Sequence, residues 1–149
     1  KVNLAIAFPD YIPDSYPLVK LFQEHHVCVT SANSSFSQSH YTLEDVANYP
    51  SIIASPSRPN FKGSIDDWFA KFGLKRNVVI SAPCFSIVPM YLETTDSIAF
   101  LPSRAIKGLN LVQIPLEQIP DKFDVIAAWH PRYNEDALQK WIISMLKLE

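Results

Sequence analysis

Asn77-Val78-Val79-Ile80-Ser81-Ala82-Pro83-Cys84-Phe85-Ser86, running on through Leu92 to Ser97-Ile98-Ala99-Phe100-Leu101-Pro102, is the stretch that decides the fold. Asn77 to Ser81 is a β-prone run, and Ala82-Pro83 breaks it because proline brings no N–H to a ladder. Phe85 to Thr95 reads as a helix in which Pro89 is tolerated near the first turn. Ser97 to Leu101 is a strand again. Strands alternating with helices imply an α/β fold with a largely parallel or mixed sheet.

The pattern extends upstream. Ser51 to Ala54 is a short strand, and Ser55-Pro56-Ser57-Arg58-Pro59 ends it. Ile65, Trp68, Phe69 and Phe72 then recur at helical spacing, an amphipathic helix stopped by Gly73. Thr42-Leu43-Glu44-Asp45-Val46 starts a short helix, with Thr42 as N-cap and Asp45 at the capping-box position. Leu18 to Thr30 is a long β-prone run whose polar centre, Gln23-Glu24-His25-His26, marks a strand that changes surroundings midway. Val2 to Phe8 is apolar on both faces, which predicts a central strand. A chain that opens mid-element in this way is expected to be part of a longer one.

Downstream, Leu109 to Ile114 and Phe123 to Trp129 are further strands. The last helix is expected to be capped by Asn134, with Glu135 and Asp136 at its positive end. Its apolar face is Leu138, Trp141, Ile142, Met145 and Leu146.

The 149 residues are 48% apolar and 19% charged, with a formal charge of −2. That is ordinary globular usage, and the scattered basic residues exclude a duplex-binding surface on this chain. No apolar run approaches the ~20 residues of a membrane span. Cys28 and Cys84 form no C-x-x-C motif and fit reduced thiols, so a cytoplasmic location is expected. His25, His26, His40 and His130 lack zinc-ligand spacing, and only Gly63, Gly73 and Gly108 are present, too few for a phosphate loop. No metal or other cofactor is expected.

Three stretches together resemble one family. Ser81 to Phe85 followed by Leu92-Glu93-Thr94-Thr95-Asp96-Ser97-Ile98-Ala99-Phe100-Leu101-Pro102-Ser103-Arg104 is similar to the strand, helix and "TDLIATLP-x-R" run of LysR-type transcription regulators. Ala128-Trp129-His130-Pro131-Arg132, then Asp136-Ala137-Leu138 and Trp141, resembles that family's final strand and helix. Pro17-Leu18-Val19 to Val29, then Thr42-Leu43-Glu44-Asp45, resembles its "PLF-x-E-x-x-V-x-V... TLED" approach to the second lobe.

The resemblance implies a two-lobe, periplasmic-binding-protein-like effector domain that follows an N-terminal winged helix-turn-helix. Residues 1–24 would be the end of lobe I and the first crossover. Residues 25–125 would be lobe II, and residues 126–149 the return to lobe I. The DNA-binding domain and the first strands of lobe I lie outside the sequence. DNA would be reached only through that absent domain, and the intact protein would be a homodimer or tetramer.

Several residues are candidates for a small, anionic effector. Ser55 and Ser57 occupy a strand-to-helix turn, where hydroxyls and free N–H groups meet ligands, although Ser and Pro are also plain turn residues. Cys84, Phe85 and Ser86 make the same arrangement; Phe85 is either an apolar wall or core, and Cys84 either lines the cleft or fills the interior. By resemblance Ala128 borders the effector, or is simply tightly packed. Trp129 and His130 read as structural.

For a dimer surface the resemblance points to the helix from Ile65 and the strand from Asn77. Asp66, Asp67, Ala70 and Lys71 occupy the helix face left over by the core.

An enzyme using Cys84 with His130 and Asp124 is not expected, since no hydrolase signature surrounds Cys84. The expected function is effector sensing for transcription control. The alternative is a solute-binding protein of an ABC-type transporter with the same fold.

Overall fold

The computed structural model describes residues 2–37, 40–54 and 63–147. Among them the strands are β1 (Leu4–Ala7), β2 (Leu18–Glu24), β3 (His26–Ser31), β4 (Ser51–Ala54), β5 (Val78–Ala82), β6 (Ile98–Pro102), β7 (Leu111–Gln113) and β8 (Phe123–Trp129). The helices are α1 (Leu43–Asn48), α2 (Ser64–Ala70), α3 (Val88–Thr94) and α4 (Ala137–Leu146).

The chain divides into two compact units. The first joins Lys1–Glu24 to Lys122–Glu149, and the second is His25–Asp121. Phe123 to Val125 therefore lie in the first unit, because all of β8 pairs within it.

The larger unit holds a mixed sheet ordered β5-β4-β6-β3-β7. β4 runs parallel to β5 and β6, while β3 runs antiparallel to β6 and β7. Strand alternation sends Cys28, Ile98 and Phe100 into one core with Val46 and Ala47 of α1 and Ile65, Trp68 and Phe69 of α2. Val27, Val29, Ile52, Ala99 and Leu101 enter the other core with Val88 and Leu92 of α3. A sheet covered by helices on both faces explains why these strands read as continuous apolar runs. Each large buried side chain contributes roughly 1.5–3 kcal/mol.

Local signals operate as physics requires. The Thr42 hydroxyl accepts the Asp45 N–H (3.1 Å), and the Asp45 carboxylate accepts the Thr42 N–H (2.9 Å). After α2, Gly73 adopts a positive φ of 71°. Its N–H donates to Ala70 O (3.0 Å) and the Leu74 N–H to Phe69 O (3.1 Å), the two bonds of a Schellman stop. α2 ends before Phe72, which is 41% exposed and so lies outside the core expected for it. The run expected as one helix from Phe85 is a 3₁₀ turn, Phe85–Ile87, leading into α3 with Pro89 in its first turn.

The smaller unit is an antiparallel sheet ordered β1-β8-β2. β8, not β1, is its central strand, and Ile6 on β1 is 56% exposed. Apolar residues on both faces signal burial only when other elements supply the cover, and a strand cannot specify those itself. The helix α4 departs from expectation in the same way. Leu138 is 64% and Trp141 60% exposed, whereas Gln139 is buried. Asp136, not Asn134, is its N-cap, accepting the Gln139 N–H at 2.8 Å. Asn134 instead accepts the Trp129 indole N–H at 2.9 Å.

The long run from Leu18 splits at His25, and β2 and β3 belong to different sheets. The polar centre therefore marks the passage between units.

Candidate functional site

β4, β5 and β6 are parallel, so their carboxyl ends share one edge of the sheet in the larger unit. Ala54, the last residue of β4, is the register partner of Ala82, the last of β5. Ser55 and Ser57 lie outside the described residues, but the strand that delivers them ends level with the strand that delivers Cys84. Helix-forming segments that follow parallel strands begin at this edge, and their free N–H groups suit an anion.

Cys84, Phe85 and Ser86 form the turn beyond β5. The Cys84 sulfur and the Ser86 hydroxyl are 3.1 Å apart, and both residues are exposed. The Ser86 hydroxyl holds the Cys84 thiol below its ordinary pKa, with the Ile87 and Ser86 backbone N–H groups acting the same way and slight burial opposing them. The interior-filler reading of Cys84 therefore fails, and it is Cys28 that occupies the core, where burial pushes its thiol up to about 12. Phe85 is half-buried against the core that contains Val27 and Leu101.

Sequence reasoning misses one residue at this edge. His26 opens β3 as the register partner of Pro102, and its ring centroid lies 6.3 Å from that of Phe85. Spacing alone presents His25 and His26 as failed metal ligands. Their place at the break in a long β run, where a chain passes between units, is the signal that could have found them. The Ser103 N–H donates to His25 O at 2.9 Å, closing the edge between β3 and β6.

Ala128 belongs to the smaller unit, buried between Ala5 of β1 and Leu18 of β2. It stands near the end of β8 remote from Phe123, roughly 17 Å along a strand at about 3.3 Å per residue. Asp124 is paired with Lys20 at 2.7 Å, and the His130 Nδ1 accepts the Arg132 N–H at 3.2 Å. Both candidate partners of a Cys84 nucleophile are thus engaged in contacts of their own. Among the described residues no group of His, Cys, Asp and Glu side chains could hold a metal.

The whole chain, residues 1–149, matches the family model described as LysR substrate binding domain. The chain belongs to the LysR substrate-binding domain family. It is similar to the HTH-type transcriptional activator NahR of Pseudomonas putida, with 22% identity over 97% of this chain. It covers 49% of NahR, so it spans about half the length of that relative.

Among solved structures, the probable transcriptional regulator PA0477 from Pseudomonas aeruginosa superposes with a TM-score of 0.84 at 21% identity, covering 98% of this chain and 49% of that one. The CcmR regulatory domain of Synechocystis PCC6803, solved in complex with 2-PG, gives 0.79 at 10% identity, covering 97% and 72%. These likenesses establish a periplasmic-binding-protein-like fold. The LysR family is one of transcription regulators, and the alternative of a transporter's solute receptor is not favoured. No helix among the described residues is long and apolar enough to cross a membrane.

Four residues of the LysR domain were expected on a dimer surface. Asp67, Ala70 and Lys71 are exposed on or just after α2. Asp66 is engaged within its own unit: its carboxylate takes the Arg76 Nε at 2.9 Å and Nη2 at 2.7 Å, and it also accepts the Gly63 N–H.

Proposed function

We propose that this chain is the effector-sensing part of a cytoplasmic LysR-type regulator, in which a small anionic molecule controls DNA binding by an N-terminal helix-turn-helix. The observation that carries this reading is the shared carboxyl edge of β4 and β5, where Ala54 and Ala82 are in register. Ser55, Ser57, Cys84, Phe85 and Ser86 of the larger unit are the effector residues of this reading, and Ala128 of the smaller unit is a further candidate. The turn from Ala82 to Ile87 carries no formal charge, so an anion would be held by N–H and hydroxyl donors rather than by ion pairing. The complex of the CcmR regulatory domain with 2-PG supports a small-molecule effector.

In this reading His25–Asp121 is lobe II and the smaller unit is the later part of lobe I. The exposed apolar residues Ile6, Leu138 and Trp141 support a lobe that other chain segments complete. The α2 face and the β5 edge serve as dimer surface in the intact protein.

A thermal-shift screen of small carboxylates and aromatic acids tests the proposal on a protein that contains both complete lobes. A hit is expected to raise the midpoint, and Ser86→Ala is expected to weaken that shift. A library without any hit, or hits indifferent to Ser86→Ala, Ser55→Ala and Phe85→Ala alike, ends it.

A further inference from the structure

The segment that leaves β7 has no regular hydrogen-bonded structure of its own as far as Asp121, the last residue of the larger unit. It is held at discrete points. The Ile114 N–H donates to Cys28 O at 2.9 Å, and the Ile114 side chain is buried in the core that also contains Trp68 and Phe69 of α2. Leu116 packs against that core. Pro120 is buried and shares a shallow depression with His25, His26 and Cys28. At the far end the Asp121 carboxylate takes the ammonium of Lys71 at 2.5 Å. Lys71 directly follows α2, so this exit segment touches α2 through the core at its start and through an ion pair at its finish.

We propose that Lys71 and Asp121 form a clasp that joins the exit segment to the end of α2, making the outer surface of α2 a reporter of that segment's position. The inference does not depend on the effector reading. Glu117, Gln118 and Ile119 are exposed between the anchors, and the Lys71–Asp121 pair holds the segment's last residue by charge. Both partners are largely exposed, so the pair shifts a local opening equilibrium by a modest factor and leaves global folding alone. An isolated pair of this kind is also sensitive to salt.

Native-state hydrogen exchange of the chain provides the test, read at the hydrogen-bonded amides of β7 and Ile114 and at those of residues 71–74, which close the end of α2. Lys71→Ala and Asp121→Ala are each expected to speed exchange at both groups of amides by about two- to fivefold, the range of an exposed ion pair. The double variant is expected to go no further than either single one, and the charge swap Lys71→Asp with Asp121→Lys is expected to restore protection. Unchanged exchange, additive effects in the double variant, or a swap that fails to restore would each overturn the clasp. A response confined to β7 and Ile114 would overturn the role of α2 as reporter.

Discussion

Arg76 and Asp66 meet in a two-point ion pair, Nε to Oδ1 at 2.9 Å and Nη2 to Oδ2 at 2.7 Å, with the Arg76 side chain 3% exposed. The guanidinium also lies over the Phe100 ring, 5.9 Å from its centroid. A helix begins, a strand is approached, and the two are tied at their feet. Asp66→Ala would leave a buried cation without its partner, and about 3 kcal/mol of stability should be lost. Adding Arg76→Met to that variant removes the stranded charge while keeping an apolar stem, and should recover much of the loss. Urea unfolding of the two variants checks both statements; equal stabilities would show that the pair is not the source of the cost.

The two cysteines should differ sharply in reactivity. Thiolate is the reacting form, and the Cys84 thiol is held low by Ser86 and by backbone N–H groups whereas Cys28 is pushed up to about 12 by burial. Iodoacetamide applied to the folded protein should label Cys84 alone, as read by peptide mass spectrometry. Ser86→Ala should shift the pH profile of labelling upward. Labelling of Cys28 at a similar rate would contradict its burial.

Acid should loosen the α1 region first. Hydrogen bonds from the Ser34 hydroxyl, then Tyr49 and Ser35, keep Asp96 below the ordinary carboxylate pKa, and the Thr42 hydroxyl and N–H do the same for Asp45. A depressed folded pKa contributes stability that is fully present above the unfolded value, about 3.9, and is lost as pH falls through the lower folded value. Stability should therefore drop below about pH 4, and Asp96→Asn together with Asp45→Asn should flatten that acid limb. Denaturation midpoints measured from pH 6 to pH 2 decide it.

If α2 forms the dimer surface of the intact protein, Ala70→Arg should disrupt association. Ala70 is exposed, whereas Ile65, Trp68 and Phe69 on the same helix are committed to the core. Size exclusion with light scattering on the two-lobe protein is expected to show a dimer for the parent and mostly monomer for Ala70→Arg. A dimer indifferent to the substitution would move the interface elsewhere.

The local structure around Cys84 in the candidate site is legible in the sequence, because strand-to-helix turns have a local signature. Pro83 ends a strand and Pro89 suits a first helical turn, so Cys84 to Ser86 had to lie between the two elements. His26 could not be recognised that way. Its significance comes from standing opposite Pro102, a partner far along the chain.

The same division runs through the whole molecule. Residue order by itself determined the alternation of strands and helices, the capping box of α1 and the glycine stop after α2, since each depends on neighbours within a turn or two. Only the tertiary structure decided that β8 rather than β1 is central, that Asp66 is tied to a buried Arg76, and that Leu138 and Trp141 of α4 stay exposed. A side-chain period states which faces are apolar, but the cover for those faces comes from residues distant in sequence, and no local pattern specifies them.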